Sequence, residues 1–197
     1  MKHFLVESAL LTHGLASVSN DTLLERWPAE LDNIAWVDNG SLQIGPMADY
    51  LPFRDRAQTL CRISCDGLER ALTEGVSGAL TASGTMAVCR KLNLPLAVTC
   101  GMGGIGEVRN EALCPDLPAL RDIPVALIST GPKDMLDIPA TLGWLMDAGV
   151  RVLGVETDRY TGYIFQSADA ALSGQWQETR LPADPSRLLL LQPIPEK

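Results

Sequence analysis

Pro124-Val125-Ala126-Leu127-Ile128-Ser129-Thr130-Gly131-Pro132-Lys133-Asp134-Met135-Leu136-Asp137 passes from an apolar strand pattern, through a Gly-Pro turn, into a helical pattern. Three further compact apolar runs, residues 94–99, 150–155 and 188–191, are separated by segments with helical spacing or helix-start signals. That alternation points to an α/β protein. Ile34-Ala35-Trp36-Val37 and Leu42-Gln43-Ile44 flank Asp38-Asn39-Gly40, a turn signal for an antiparallel hairpin. The expected fold is therefore three-layer α/β/α with a mixed, mostly parallel central sheet. Helices are expected from a Ser83 cap through residue 92 and from Asp134 through residue 148. The second carries Leu136, Leu142, Leu145 and Met146 on an apolar face and tolerates Pro139 near its start. Between residues 166 and 185 the chain is polar with weak periodicity, and a helix followed by a surface loop is expected there.

The 197 residues, 46% hydrophobic, suffice for one well-buried core and are short for two, so residues 1–197 are expected to form one domain. A net charge of -8 with no run of Lys or Arg argues against nucleic-acid and anionic-membrane partners. A small phosphorylated molecule stays compatible with it, because backbone N–H groups at a glycine turn or helix N-terminus hold phosphate without changing net charge. The five cysteines, Cys61, Cys65, Cys89, Cys100 and Cys114, are odd in number and scattered, which fits reduced thiols in a cytoplasm better than a disulfide framework. Only His3 and His13 accompany them, so a structural zinc site is not expected. Glu7 interrupts the short apolar start, which reads as a first strand rather than a signal peptide. No apolar run approaches the roughly 20 residues needed to cross a bilayer.

Lys133 stands at the strand-to-helix turn. Amines attack sugar C1 carbons to form imines once a neutral fraction is reached, although a lysine is more often simply a solvated surface group. Gly101, Gly103 and Gly106 satisfy the dinucleotide pattern G-x-G-x-x-G after an apolar run. Its context is missing, because Pro115 and Pro118 follow almost at once where a long helix should run. A glycine turn joining two elements is the simpler reading.

Four motifs in order change the weight of these residues. Glu7-Ser8-Ala9-Leu10-Leu11-Thr12-His13-Gly14, Gly103-Gly104-Ile105-Gly106, Thr130-Gly131-Pro132-Lys133-Asp134-Met135-Leu136-Asp137 and Gln192-Pro193-Ile194-Pro195 together resemble the pseudouridine-5'-phosphate glycosidase family, also called indigoidine synthase A-like. The resemblance runs from about residue 5 to residue 196. It implies cleavage of the C-glycosidic bond of a nucleoside 5'-phosphate to a base and ribose 5-phosphate, with a small-molecule sugar phosphate as partner and a homo-oligomer, a trimer, as assembly. It further implies that Lys133 attacks C1' of the ribose to form an imine and that Glu7 donates a proton to the ring oxygen. Arg62, Ser64 and Ala82, with Cys114 and Asp116, fall where the family touches substrate. Arg62 stands for a family lysine, which keeps the charge and the phosphate clamp but not a neutral amine.

The family also implies a manganese ion, held by the first residue of an Asp-x-Ser-x-Asp motif. This chain reads Ala112-Leu113-Cys114-Pro115-Asp116 there, so the ligand position has no oxygen and the metal site is expected to be weakened or absent, with Glu111 a neighbouring carboxylate. Glu107-Val108-Arg109-Asn110 and Gln192 are further departures. The alternative implied by these changes is a noncatalytic sugar-phosphate-binding relative.

Overall fold

The computed structural model describes residues 2–106 and 113–192. Ala112, Glu111, residues 107–110 and residues 193–196 of the terminal motif, on which several expectations rest, lie outside them.

The chain opens with β1 (Phe4–Val6), α1 (Asn20–Arg26), β2 (Ile34–Asp38), β3 (Ser41–Gly45) and α2 (Met47–Arg54). It continues with β4 (Cys61–Ile63), α3 (Leu68–Thr73), β5 (Gly78–Leu80), α4 (Ala82–Lys91), β6 (Leu96–Val98), β7 (Gly101–Met102) and α5 (Asp116–Asp122). Then follow β8 (Ala126–Ser129), β9 (Gly131–Pro132), α6 (Ile138–Asp147), β10 (Arg151–Gly154), β11 (Arg159–Tyr160), β12 (Ala170–Ala171), β13 (Gly174–Gln175) and β14 (Leu188–Leu191).

The main sheet runs β13-β10-β14-β8-β6-β1-β2-β5-β4, with β3 also on β2. Every neighbouring pair is parallel except β2 with β3 and β2 with β5. The sheet is thus mixed and mostly parallel. The expected hairpin is present: β2 and β3 are joined by Asn39 (φ 50°) and Gly40 (φ 70°), both left-handed, as a two-residue type I′ turn requires. Helices cover both faces. Leu189 and Leu191 pack into the larger core with Leu117, Leu120, Leu142 and Leu145, whereas Leu188 and Leu190 pack on the opposite face with Ala126. Such a run, apolar at successive positions, is what a strand buried on both sides demands. On the hairpin's side Trp36, Tyr50 and Phe53 build a second cluster, with Trp36 and Tyr50 edge to face at 5.4 Å. Each fully buried Leu, Ile or Met contributes about 1.5–3 kcal/mol of transfer free energy.

Three sequence expectations need correction. Thr81, not Ser83, caps α4: its side chain accepts from Gly84 N at 3.3 Å, and the helix begins at Ala82 and ends at Lys91. Asp137, not Asp134, caps α6, accepting from Ala140 N at 3.0 Å, so Pro139 falls in the first helical turn. No helix forms between residues 166 and 185, where the short strands β12 and β13 find partners in β11 and β10. No helix among the described residues is long and apolar enough to cross a membrane.

Candidate active site

The register of β2 places the site. β3 occupies one edge of β2 along its whole length, Ile34↔Gly45 to Asp38↔Ser41. β1 and β5 must share the other edge, where Val6 lies opposite Ile34 and Ala79 opposite Trp36. Because β1 is parallel to β2 and β5 antiparallel to it, the two strands run toward each other and their carboxyl ends meet. Ser8 seals the junction: its buried hydroxyl donates to Ala35 O at 2.6 Å and accepts from Leu80 N at 3.0 Å. A helical turn of π type, Leu10–Gly14, leads the chain away, and α4 starts immediately after β5. Two sets of strand ends and one helix N-terminus therefore face a common space.

That space is a cavity of about 200 Å³ lined by Glu7, Arg62, Ser64, Ala82, Cys114, Asp116 and Lys133, along with Gly101 and Gly103. Every site residue singled out from the sequence is brought to it. Lys133 arrives from the far half of the sheet. β7 pairs with β9, Gly101 opposite Gly131 and Met102 opposite Pro132, which straps the glycine loop to the turn that ends in Lys133. Gly131 has φ 116°, and a side chain there would meet the Tyr160 ring at 2.3 Å, while the Tyr160 hydroxyl donates to Pro132 O at 2.7 Å. Only glycine permits both the backbone turn and the ring. The glycine loop forms the cavity wall, as Gly103 approaches Cys114 so closely that a Cβ would lie 2.2 Å from its Sγ.

Glu7 is buried and its pKa is pushed up to about 8. Burial is the largest cause and the nearby Asp116 adds to it, against the opposing pull of Lys133, the Leu10 backbone and Arg62. The carboxyl is thus mostly protonated at neutral pH and able to act as an acid. Asp116 is also buried, with each oxygen engaged: Oδ1 accepts from Ser83 N at 2.9 Å and Oδ2 from Gly103 N at 2.8 Å. It ties the start of α4 to the glycine loop. The Cys114 thiol is pushed up to about 11 by burial and then by Asp116, which keeps it neutral and a weak donor rather than a nucleophile. Arg62 is exposed at the mouth, beside Ser64. The N–H of Ala82, first residue of α4, has no acceptor within its own helix and lies at the positive end of the helix dipole.

Sequence reasoning missed four contributors. Ser8 stands inside a quoted motif, yet its bonds reach strands far along the chain. Thr99 hydrogen-bonds the Glu7 carboxyl from the end of β6. Ser83 supplies a backbone N–H to Asp116. Tyr163 packs on Gly101, where a Cβ would meet its ring at 2.5 Å, and its segment is held by Asp134. Asp134 accepts from Tyr163 N at 2.9 Å, Ile164 N at 2.9 Å, Phe165 N at 3.2 Å and Ser167 Oγ at 2.6 Å. Burial raises its pKa, but these bonds outweigh that and hold the carboxyl below its ordinary value.

Among the described residues, no three His, Cys, Asp or Glu side chains stand together as a metal set. Each Asp116 oxygen already accepts a backbone N–H, and Glu111 and Ala112, at the position where the family places its metal ligand, lie outside the described residues.

Side chains converging at strand ends around a partly open cavity mark the chain as an α/β protein with a candidate binding pocket. More narrowly, it belongs to the family described as indigoidine synthase A like protein, which it matches over residues 5–184. It is 30% identical to a pseudouridine-5'-phosphate glycosidase of Methylobacterium nodulans over 85% of this chain and 51% of the relative. A second such glycosidase, from Gemmatimonas aurantiaca, is 31% identical over 96% of this chain and 67% of its own. The chain spans about half the length of several of these relatives. Among solved structures, an indigoidine synthase A (IdgA)-like protein from Thermotoga maritima superposes with a TM-score of 0.82 at 18% identity, over 99% of this chain and 72% of that one. The prealnumycin C-glycosynthase AlnA, solved with ribulose 5-phosphate, gives 0.77 at 24% identity, over 98% and 68%. Both show the same fold.

Proposed function

We propose that the protein cleaves the C-glycosidic bond of pseudouridine 5'-phosphate, or a closely related sugar phosphate, through an imine on Lys133. The observation that carries this reading is the meeting of Glu7 and Lys133, distant in sequence, in one cavity with the Glu7 carboxyl held neutral up to about pH 8.

The Lys133 amine attacks C1' while Glu7 gives its proton to the departing ring oxygen, so the C1'–O bond breaks and a C1'–N bond forms. The ionised Glu7 carboxylate takes a proton from the new ammonium, and the freed nitrogen lone pair makes the C1'=N bond as the C1'–carbon bond to the base breaks. The base carbon leaves with that electron pair and takes up a proton. Water hydrolyses the imine, returning free Lys133 and ribose 5-phosphate. The nitrogen lone pair supplies the electrons that expel the base, and protonation of the base carbon as it leaves avoids an unstabilised carbanion. Arg62, the Ser64 hydroxyl and the Ala82 N–H hold the phosphate by charge, hydrogen bond and helix dipole together. Cys114 and Asp116 border the sugar.

The test is to incubate the protein with pseudouridine 5'-phosphate and follow uracil release, with and without manganese. Release supports the proposal. Binding of ribose 5-phosphate without release under either condition would identify a noncatalytic sugar-phosphate-binding relative instead.

A further inference from the structure

Thr99 follows β6, is 5% exposed, and anchors its backbone by donating N–H to Ile128 O at 2.9 Å. Its hydroxyl donates to Glu7 Oε2 and also lies 3.3 Å from Gly101 O, so it stands behind two residues that line the cavity. The reaction outlined above makes no use of it. We propose that Thr99 is the positioning residue for the Glu7 proton: by donating to Oε2 it directs the acidic hydrogen to Oε1. This rests on Glu7 being the proton donor to the ring oxygen.

The chemistry follows from counting hydrogens. A threonine hydroxyl carries one, and a neutral carboxyl carries one. If the carboxyl hydrogen sat on Oε2, that oxygen would donate to the Thr99 hydroxyl, which would give its own hydrogen to Gly101 O, the longer of its two contacts. With Thr99 donating to Oε2, that oxygen acts as the carbonyl acceptor and Oε1 bears the hydrogen. Once the proton has left, the same hydroxyl donates to a carboxylate, a stronger bond that favours the transfer. The charged and titratable groups facing Glu7 are Asp116, Lys133, Arg62, Tyr50 and Tyr163. None of them is a hydrogen-bond partner of Thr99 among the described residues.

The experiment uses the unliganded protein first, so it does not depend on turnover. Difference infrared spectroscopy across a pH titration reads the Glu7 C=O stretch and its midpoint in the intact protein, Thr99→Val and Thr99→Ser. Valine matches the shape but removes the donor. Thr99→Val should raise both the stretching frequency and the midpoint, and Thr99→Ser should return both toward the intact values. In uracil release, Thr99→Val should lower kcat about tenfold or more with KM changed less than about threefold, the pattern of a misplaced acid rather than lost binding. Should Thr99→Val not fold, Thr99→Ala carries the same readouts. An unchanged stretch and midpoint in the valine or alanine variant, or a serine variant no better than valine, would overturn the proposal. A shifted titration in a protein that never releases uracil would leave the hydrogen bond standing and sink the proposed reaction instead.

Discussion

In the proposed reaction Glu7 carries more of the chemistry than its position beyond a three-residue strand suggests. Its carboxyl is buried beside Asp116, so ionisation costs more here than in water, and the proton stays until about pH 8. The unfolded chain gives up that proton near 4.5. Between these values the folded state holds more protons than the unfolded one, so this group makes stability fall as pH rises. Three outcomes are expected of Glu7→Gln. Turnover should drop by roughly 10²–10⁴-fold, since an amide cannot protonate the ring oxygen, with the loss in kcat. Ribose 5-phosphate affinity should stay within about tenfold, or roughly 1.4 kcal/mol, because the shapes match. The variant should also melt higher than the intact protein at pH 8, with the difference disappearing toward pH 4.5, as calorimetry at the two pH values would show. Turnover unchanged in Glu7→Gln would reduce Glu7 to a structural residue of the β1 end, leaving Asp116 as the next candidate acid.

The head-on meeting of β1 and β5 is the element on which the cavity depends. Ser8 fills the gap between them, and nothing in its neighbourhood of sequence announces that its partners are residues 35 and 80. Ser8→Ala should cost about 1–3 kcal/mol in urea unfolding, because Leu80 N is left buried without an acceptor; a cost within experimental error would mean the junction is held elsewhere. The same distinction between local and distant partners separates what the sequence made legible from what it hid. The hairpin was readable because Asn39-Gly40 states its own geometry, and the strands at residues 126–129 and 188–191 because their burial writes continuous apolar runs. Asp134 and Asp137 both look like helix caps; Asp137 took that role, and Asp134 was drawn to the residue 163–167 segment by tertiary bonds. The helix expected after residue 166 failed for a similar reason, since β13 is held by pairing with β10 rather than by any local preference.

Across the whole molecule, the candidate site was legible in the residues that the family resemblance singled out: Glu7, Arg62, Ser64, Ala82, Cys114, Asp116 and Lys133 all line one cavity. Thr99 and Tyr163 were not, because each acts through a neighbour that only the folded sheet brings near. Asp116, with each oxygen accepting a backbone N–H, ties the start of α4 to the glycine loop. Since Ala112 also offers no oxygen at the family's ligand position, chelation should leave the rate of uracil release unchanged. A rate that collapses with chelator and returns with manganese would show that the ligand has moved along the loop. The central claim, that Lys133 is the nucleophile, has a direct chemical test: reduce the protein with borohydride in the presence of ribose 5-phosphate, digest it, and locate the adduct by mass spectrometry. An imine reduces to a stable secondary amine. The account predicts a single adduct on the peptide containing Lys133 and none in Lys133→Ala; equal labelling of Lys133→Ala, or no adduct in the intact protein, would contradict it.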